Sequence, residues 1–468
     1  MFNLQKYGDR CAVITDRNES LSYLQLQQEV NKFYGHISTS GFLFCLCENV
    51  LASFVGYVAC MNKRVPAVLL DGSKDLQLVL RLIDIYHPEY IWMPTRRVKE
   101  IGGATVYEFS GYSLQQMAYA DDLVVKDIHP DLALCLTTSG STGSPKLVRL
   151  SERNLQSNAE SIVEYLHIDE NERPITTLPM YYSFGMSVIN SHLICGATIL
   201  LTDKAVIQKE FWTFLKEQRA TSISGVPYTY EMLKRLRFFR MDLPWLKTLT
   251  QAGGKLNAAY VKEFVEYAEG SGKQFVVMYG QTEAAPRMSY LPPEKSVEKC
   301  ASIGIAIPGG DFSLIDADGQ EISTADTDGE LIYRGDNVCM GYAEQRCDLA
   351  KGDENHGELH TGDVARRDSD GYYYITGRMK RFVKIWGNRT NLDATEQLVK
   401  AITPNCACAG VDDKITVFVT EEGMEEKIKE LLVAKTGFNP RAFKVRVIQE
   451  IPKNGAGKVL YKELQAML

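Results

Sequence analysis

Residues 137–146 read Thr-Thr-Ser-Gly-Ser-Thr-Gly-Ser-Pro-Lys and directly follow an apolar run at residues 132–136. Glycines let such a backbone turn tightly and present N–H groups without a Cβ in the way. The hydroxyl side chains add donors, and the closing lysine adds a positive charge. A strand that ends in such a loop predicts a phosphate-binding site at the edge of a sheet. The predicted ligands are Thr138, Ser139, Gly140, Ser141, Thr142, Gly143 and Lys146.

Two other interpretations of this loop need to be weighed. The Walker A pattern requires Gly-x-x-x-x-Gly-Lys followed by Ser or Thr. Here Lys146 follows Pro145 and precedes Leu147, so that pattern is absent. An ordinary Gly/Ser turn between two strands would also account for the stretch taken alone. The phosphate-binding interpretation therefore depends on the other blocks of the sequence.

The composition is that of an ordinary globular protein of more than one domain. The chain has 468 residues, 45% of them hydrophobic and 24% charged. A chain of this length exceeds the size of a single compact core, so we expect two or more domains. The formal net charge of -7, without a long basic block, argues against nucleic acid as a partner.

The cysteines and the apolar runs indicate in which cellular compartment the protein is expected. None of the 11 cysteines forms a Cys-x-x-Cys pair, and no zinc spacing with histidine is present. Cys45/Cys47 and Cys406/Cys408 have the spacing of one face of a buried strand. Reduced thiols predict a cytoplasmic protein. Residues 50–61 are apolar but too few to span a bilayer, so we expect a buried helix and no transmembrane segment.

Strand-like runs alternate with helical patterns over the first three quarters of the chain, for example at residues 197–201, 221–226 and 275–278. This alternation is typical of α/β folds, in which helices cover parallel sheets. Residues 304–374 instead carry short β runs separated by Asp-Gly turns, which predicts an antiparallel β subdomain. Further short elements follow residue 379. We therefore expect a large N-terminal domain at residues 1–379 and a small α+β domain at residues 380–468.

Four further blocks contain residue types that suit a nucleotide. They read Ala-Gly-Gly-Lys at 252–255, Tyr-Gly-Gln-Thr-Glu at 279–283, His-Thr-Gly-Asp at 360–363 and Asn-Gly-Ala-Gly-Lys at 454–458. An aromatic face suits a purine, a carboxylate suits magnesium, and one carboxylate can bind two vicinal hydroxyls. Taken singly, each block could be a structural turn, and Asp363 with Arg378 could be an ion pair between neighbouring strands.

In order and approximate spacing, the loop and these blocks resemble the adenylate-forming superfamily. This superfamily includes acyl-CoA synthetases, adenylation domains of nonribosomal peptide synthetases and beetle luciferase. The resemblance covers almost the whole chain, and the blocks are specific as an ordered set. It implies an enzyme that uses ATP and Mg²⁺ to join a carboxylic acid to AMP. It also implies that the C-terminal domain is a mobile lid with its hinge at Lys380.

The resemblance assigns roles to the matching residues. For the nucleotide and metal, it implies adenine contacts at Tyr279, Gly253 and Gly254, a further nucleotide contact at Gly280, ribose contacts at Asp363 and Arg378, an α-phosphate contact at Thr282, and Mg²⁺ ligands at Glu283 and Thr142. For catalysis, it implies that Lys458 bridges the substrate carboxylate and the α-phosphate. A cation at that position removes the repulsion between two anions and stabilises the charge that develops during attack.

The segment that would line the acid pocket departs from the family. Residues 179–185 read Pro-Met-Tyr-Tyr-Ser-Phe-Gly, and Tyr182 stands where many acyl-CoA synthetases have histidine. Amino-acid-activating relatives carry an aspartate here that holds the substrate ammonium. That carboxylate is missing at Tyr182 and Ser183, and an unpaired charged amine in a pocket is costly. The candidate substrate residues are Tyr182, Ser183 and Gly185.

These residues predict an AMP-forming acid–thiol ligase. The carboxylic acid would first become acyl-AMP with release of pyrophosphate. It would then pass to a phosphopantetheine thiol, either of coenzyme A or of an acyl carrier protein. One alternative is a stand-alone amino-acid adenylation protein that loads a carrier protein. Another is a nucleotide-binding protein without ligase activity, against which Glu283, Asp363, Arg378 and Lys458 argue.

Overall fold

The computed structural model describes residues 1–37, 41–119, 128–137, 146–386, 388–453 and 459–468, with the backbone alone at residues 380, 382, 388 and 389. The chain forms two compact units, each built from separate stretches. The first comprises Met1–Cys300, Ala306–Asp311 and Arg334–Leu359, and the second comprises Ala301–Ile305, Phe312–Tyr333 and His360–Leu468. The domain boundary predicted after residue 379 was placed at the expected hinge, Lys380, and it stays a prediction.

The β-strands are numbered in the order in which they follow one another along the chain. They are β1 (Cys11–Thr15), β2 (Ser20–Ser22), β3 (Leu43–Cys47), β4 (Ala67–Asp71), β5 (Tyr90–Pro94), β6 (Ala104–Phe109), β7 (Tyr112–Gln116), β8 (Leu132–Thr137), β9 (Leu147–Ser151), β10 (Pro174–Ile175), β11 (Ile199–Leu201), β12 (Ser222–Gly225), β13 (Thr248–Gln251), β14 (Gln274–Gly280), β15 (Arg287–Tyr290), β16 (Ile305–Ala306), β17 (Gly310–Ile315), β18 (Gly329–Gly335), β19 (Gly341–Ala343), β20 (Glu358–Arg367), β21 (Tyr373–Arg378), β22 (Phe382–Ile385), β23 (Asn388–Asn391), β24 (Cys406–Val411), β25 (Lys414–Val419) and β26 (Phe443–Val447).

The α-helices are α1 (Tyr23–Tyr34), α2 (Leu51–Lys63), α3 (Leu76–Tyr86), α4 (Val98–Ile101), α5 (Glu152–Leu166), α6 (Ser183–Ile194), α7 (Lys209–Glu217), α8 (Pro227–Arg235), α9 (Ala258–Gly270), α10 (Leu392–Lys400), α11 (Glu425–Thr436) and α12 (Tyr461–Ala466). Short 3₁₀ helices include Thr282–Ala284, Arg346–Ala350 and Met379–Arg381. Helix α2 is the apolar run predicted to be a buried helix, and its residues from Leu51 to Met61 are all buried.

The larger sheet, which belongs to the first unit except for Ile305 of β16, has the order β16-β15-β14-β13-β12-β10-β11-β1-β2. The strands from β14 to β1 run parallel, so their carboxyl ends lie at one edge. At this edge Gly225 is aligned with Gln251, and Gln251 with Val277. Ligands of open α/β sheets bind outside the carboxyl ends of the strands. The segments that follow β12, β13 and β14 are therefore placed side by side where a ligand would bind.

The second sheet of the first unit has the order β19-β9-β8-β4-β3-β5-β7-β6. Strand β8 runs parallel to β4 and antiparallel to β9, and Thr137 pairs with Leu147 at the open end of that hairpin. The phosphate loop predicted between these two residues lies outside the described residues except for Lys146. On the buried strand β3, Cys45 and Cys47 share one face, with their Sγ atoms 3.3 Å apart, as their spacing predicted.

Helix α5 connects the two sheets of the first unit. It begins with a capping box, in which Ser151 Oγ accepts from Asn154 N and Asn154 Oδ1 accepts from Ser151 N. The Asn154 amide also donates to the carbonyl of Val338 at 2.7 Å. One turn later the Asn158 amide donates to the carbonyl of Arg287 at 2.8 Å. Through these two bonds, α5 holds the backbone just before β19 and the backbone of β15.

The second unit contains most of an antiparallel sheet of order β17-β18-β20-β21, followed by the hairpin β22-β23 and the sheet β24-β25-β26. Its C-terminal core includes Val399, Cys408, Val417 and Ile428, all fully buried. Helix-covered parallel sheets, an antiparallel subdomain and a small α+β C-terminal part confirm the predicted fold class. The mobility expected of the C-terminal part is a separate prediction.

All 11 cysteines are free thiols. Cys347, in the 3₁₀ helix Arg346–Ala350, is exposed, whereas the others are buried or half-buried. In the part of the chain that the structure describes, no helix combines the length and the apolar character needed to cross a membrane.

Candidate active site

Predicted residues from separate segments meet at the strand-end edge of the first unit. Ser183 Oγ and Thr282 Oγ1 lie 3.1 Å apart, within hydrogen-bond distance. The Tyr342 hydroxyl donates to Glu283 Oε1 at 2.9 Å. Lys146 Nζ lies 3.6 Å from the centre of the Tyr342 ring. The last residue of the predicted phosphate loop is thus one side chain away from the predicted magnesium ligand.

A glycine sets the geometry of this edge. A Cβ on Gly280 would overlap the carbonyl oxygen of Pro286, so β14 and β15 approach this closely only because position 280 is glycine. Directly afterwards the chain forms the 3₁₀ helix Thr282–Ala284, and Thr282 and Glu283 remain partly exposed. The Glu283 carbonyl accepts from Cys339 N at 2.8 Å, which fixes this turn.

The charges around Lys146 suit a nucleotide that arrives with a metal ion. Lys146 Nζ also lies 3.8 Å from Glu344 Oε1. Burial and the neighbouring Glu283 carboxylate raise the pKa of Tyr342, so its hydroxyl stays a hydrogen-bond donor. The ammonium stacks on the ring whose hydroxyl donates to Glu283.

The donor set fits Mg²⁺ bound together with phosphates. Among the described residues, no group of three His, Cys, Asp or Glu side chains could hold a metal by itself. Glu283 accepts the Tyr342 bond at Oε1, and no described residue donates to Oε2. Magnesium is usually bound by one or two carboxylates, several waters and substrate phosphates. Glu283 is therefore suited to a magnesium ion that enters with ATP.

The predicted substrate residues surround the start of α6. A Cβ on Gly253, whose φ is +79°, would lie 2.6 Å from the Tyr182 hydroxyl, so the ring occupies the space in front of that turn. A Cβ on Gly185 would overlap the carbonyl of Pro179, so this glycine permits the tight turn that presents Ser183. Burial raises the pKa of Tyr182 to about 12, so this residue is neutral near pH 7. The structure therefore brings Tyr182 to Gly253 and Ser183 to Thr282.

The residues expected around adenine lie at the ends of the adjacent strands β13 and β14. The Gln281 side chain donates to the Tyr279 hydroxyl at 3.3 Å. The Gln251 side chain donates to the carbonyl of Gly254 at 2.9 Å, which anchors the glycine turn. An aromatic ring and a glycine turn are the kinds of residue that suit a purine.

In the second unit, Asp363 and Arg378 face each other on the antiparallel strands β20 and β21. Arg378 Nε donates to Asp363 Oδ1 at 3.1 Å. The aspartate side chain is 5% exposed, whereas that of the arginine is 61% exposed. The structural ion pair considered from the sequence is therefore present. An exposed guanidinium next to a fixed carboxylate could also bind vicinal hydroxyls, so the ribose role stays a prediction.

A buried carboxylate connects the segment after the predicted hinge to the last helix of the second unit. Glu396, on α10, accepts from the Tyr461 hydroxyl at 3.0 Å and from the backbone N–H of Cys408 at 2.9 Å. Lys400 Nζ lies 2.6 Å and Arg381 Nη2 3.3 Å from its oxygens. The Arg381 guanidinium also stacks on the Tyr461 ring at 3.5 Å. Arg381 follows Lys380, and Tyr461 lies three residues after Lys458 in the sequence.

Several predicted residues cannot be placed. Lys380 is described by its backbone alone, within Met379–Arg381. Lying outside the described residues are Thr138, Ser139, Gly140, Ser141, Thr142, Gly143 and Lys458. Their roles stay predictions.

Sequence reasoning missed two side chains at this site. Tyr342 contacts both Lys146 and Glu283, yet it follows a glycine in a stretch that matched no block. The pairing of β19 with β9 brings Tyr342 to the site, so no spacing of residues along the sequence could have indicated its position. Arg287 is 2% exposed on β15. A charged residue at the start of a short strand that is largely buried has no signal in the sequence beyond the charge itself.

The geometry can be compared with known proteins. The model of the family described as "AMP-binding enzyme" matches residues 2–343, well over half of the sequence. The chain belongs to the AMP-binding enzyme family. The superfamily resemblance predicted from the sequence is confirmed by this match.

Relatives of this AMP-binding enzyme include CoA ligases. The 2-succinylbenzoate–CoA ligase of Bacillus licheniformis is 28% identical over 480 residues, covering 97% of this chain and 96% of that protein. A long-chain-fatty-acid–CoA ligase of Yersinia pestis is 30% identical, covering 72% of this chain and 62% of that protein. These relatives and the family match confirm the predicted enzyme class, an AMP-forming acid–thiol ligase.

Solved structures share the fold. The o-succinylbenzoate CoA synthetase of Bacillus subtilis in complex with its acyl-adenylate intermediate matches with a TM-score of 0.80 at 19% identity, over 99% of this chain and 98% of that one. ATP-bound MatB of Rhodopseudomonas palustris matches with a TM-score of 0.80 at 20% identity over the same shares. At these identities the likeness concerns the fold alone.

Proposed function

We propose that this protein uses Mg·ATP to convert a carboxylic acid into its acyl adenylate and then transfers the acyl group to the thiol of coenzyme A. AMP and pyrophosphate are the other products. The observation that carries the proposal is the cluster in which Lys146, Tyr342 and Glu283 join the phosphate-loop strand to the turn that holds Thr282. This is the arrangement that positions and neutralises a polyphosphate for in-line displacement.

The residues of the first unit bind the phosphates, the metal and the two reacting groups in the first half-reaction. Lys146 binds the β- and γ-phosphates together with Thr138, Ser139, Gly140, Ser141, Thr142 and Gly143. Glu283, with Thr142, binds Mg²⁺, which when bound neutralises charge on the phosphates. Thr282 donates to the α-phosphate, and Ser183, 3.1 Å away, orients the attacking carboxylate. Tyr279, Gly253 and Gly254 contact the adenine, and Gly280 is a further nucleotide contact.

Residues of the second unit complete the proposed chemistry. Asp363 and Arg378 bind the ribose hydroxyls. Lys458, as a protonated cation, stabilises the charge that develops as the carboxylate attacks the α-phosphorus. A rotation about Lys380 then withdraws Lys458 and lets the thiol attack the acyl adenylate. The carbonyl carbon forms a bond to sulfur, and its bond to the AMP oxygen breaks.

Coenzyme A is the preferred acceptor because the named relatives are CoA ligases. Other relatives are named as ligases of oxalate, indoleacetate and long-chain fatty acids. These names support a carboxylic acid as the substrate but do not identify which acid. An amino acid is disfavoured, because near the start of α6 the side chains Tyr182 and Ser183 provide no counter-ion for an ammonium group. The phosphopantetheine of an acyl carrier protein is the alternative acceptor.

The test is pyrophosphate release over a panel of carboxylic acids, followed by mass spectrometry of the thioester formed with coenzyme A. The variant Lys458→Ala should lose acid-dependent pyrophosphate release yet still convert preformed acyl adenylate to thioester. The control variant Lys462→Ala changes an exposed lysine that follows in the sequence, and it should retain both half-reactions. Equal loss of both half-reactions in Lys458→Ala would contradict the role of Lys458. ATP binding with no pyrophosphate release for any acid would contradict the proposed function.

A further inference from the structure

Arg287 is a buried cation beside the proposed acid pocket. Its side chain contacts neutral groups: Nε donates to Ser187 Oγ at 3.2 Å and Nη1 to the Tyr165 hydroxyl at 3.2 Å. Nη1 also lies 2.6 Å from Met278 Sδ, and the guanidinium stacks 4.4 Å from the centre of the Phe184 ring. The residue is 2% exposed, so its charge is withdrawn from bulk solvent.

This arginine differs from the other buried arginines of the first unit. Each of those has a carboxylate within ion-pair distance: Arg149 with Glu354 at 2.6 Å, Arg346 with Glu89 at 2.5 Å and Arg97 with Glu100 at 3.1 Å. No carboxylate among the described residues lies within 4 Å of the Arg287 guanidinium. Among the described residues, three buried guanidinium groups therefore have a carboxylate partner and that of Arg287 has none.

A buried charge without a counter-ion has a free-energy cost, and arginine cannot escape it by losing its proton. Replacing such a cation with an apolar residue of similar size removes that cost. The backbone of Arg287 is held independently of its side chain, because its carbonyl accepts from the amides of Asn158 and Asn337 at 2.8 and 3.0 Å. The guanidinium is therefore not needed to hold β15 in place.

The position of the charge relative to the reacting groups follows from α6. Ser183 and Ser187 are four residues apart on this helix, which corresponds to a rise of about 6 Å. Ser183 contacts Thr282, and Ser187 contacts Arg287. Burial raises the pKa of Tyr182, and the Arg287 charge opposes that rise, so the guanidinium lies within electrostatic reach of a predicted substrate residue. The cation is thus about one helical turn from the proposed attack site.

We propose that Arg287 binds a second carboxylate of the substrate, so that the acid activated by this protein is a short dicarboxylic acid. This inference rests on the proposed function. One carboxylate lies at Thr282 and becomes the acyl adenylate. The other reaches the guanidinium and supplies the missing counter-ion. A spacing of about one helical turn admits a few atoms between the two carboxyl groups and excludes a long acyl chain.

The experiment compares acids matched in size that differ in one carboxylate. Pyrophosphate release is measured with succinate against butyrate, glutarate against pentanoate, and phthalate against benzoate. For at least one pair, the wild-type protein should have a kcat/KM for the diacid at least about 30-fold above that for the matched monoacid. This is the range expected for a buried charge pair. Arg287→Met should remove that preference, mainly through KM for the diacid. Arg235→Met, at an exposed arginine, should preserve it.

A stability measurement separates recognition from a structural role. Arg287→Met should have a melting temperature equal to or above that of the wild type in the absence of acid. A lower melting temperature, a failure to fold, or equal loss of activity towards both members of a pair would make Arg287 structural and overturn the inference. Wild-type activity on the monoacids that equals activity on the diacids would overturn it while leaving the ligase function intact. No pyrophosphate from any acid would instead refute the proposed function.

Discussion

Gly280→Ala tests whether the β14–β15 contact positions the reacting groups. The added Cβ would overlap the Pro286 carbonyl oxygen, lie 2.9 Å from the carbonyl carbon of Pro286 and lie 3.1 Å from Arg287 Cα. All three atoms belong to the backbone, so the two strands must separate by about 1 Å, at a cost of about 1–3 kcal/mol. The turn that carries Thr282 and Glu283 follows directly. A displacement of about 1 Å at reacting groups costs about 100-fold in rate.

The assay is acid-dependent pyrophosphate release, with the melting temperature measured in parallel. Gly270→Ala is the matched control, because a Cβ there meets no atom within 4 Å and the glycine ends α9 away from this edge. We expect kcat/KM to fall about 100-fold in Gly280→Ala and to be unchanged in Gly270→Ala. A Gly280→Ala protein with a lower melting temperature but near wild-type kcat/KM would refute the reasoning, since the strain would then be relieved without moving the turn.

Three other outcomes follow from side-chain contacts. Tyr342→Phe keeps the ring near Lys146 but loses the bond to Glu283, so the Mg²⁺ concentration for half-maximal activity should rise about tenfold with an unchanged melting temperature. Tyr461→Phe loses the bonds to Glu396, so urea unfolding should show the protein destabilised by about 2 kcal/mol. Burial lowers the pKa of His192 to about 4 from 6.5, so the unfolded chain binds this proton first as pH falls. Stability should therefore decrease between these values, by about 2 kcal/mol at pH 5, and His192→Leu should remove that part of the pH dependence in urea unfolding. No pH effect of His192→Leu would mean that the histidine is solvated.

The sequence predicted the parts of the fold that depend on local pattern. Alternating apolar runs and helical segments predicted parallel sheets covered by helices, and the Asp-Gly turns predicted the antiparallel part. The apolar run at residues 50–61 was correctly interpreted as a buried helix. These features are readable because periodicity and turn chemistry act over a few residues.

Residues that act through long-range pairing were not predictable in this way. Tyr342 reaches Glu283 only because β19 pairs with β9, almost two hundred residues earlier in the chain. That no described carboxylate lies beside Arg287 depends on everything packed around it, and no local pattern encodes it. By contrast, Asp363 and Arg378 were expected to be close, because one hairpin places them opposite each other. Register within a hairpin can be read from sequence, whereas packing between distant strands cannot.

The single exposed thiol of this enzyme has a practical use. Cys347 lies in the first unit at the surface, and the ten other cysteines are less accessible. Since thiol reactivity requires access as well as thiolate, a maleimide dye should attach at Cys347 without prior removal of native cysteines. A second thiol introduced by Lys462→Cys would supply a fluorescence partner in the C-terminal helix. Energy transfer between the two dyes would then follow the proposed domain rotation during turnover in real time.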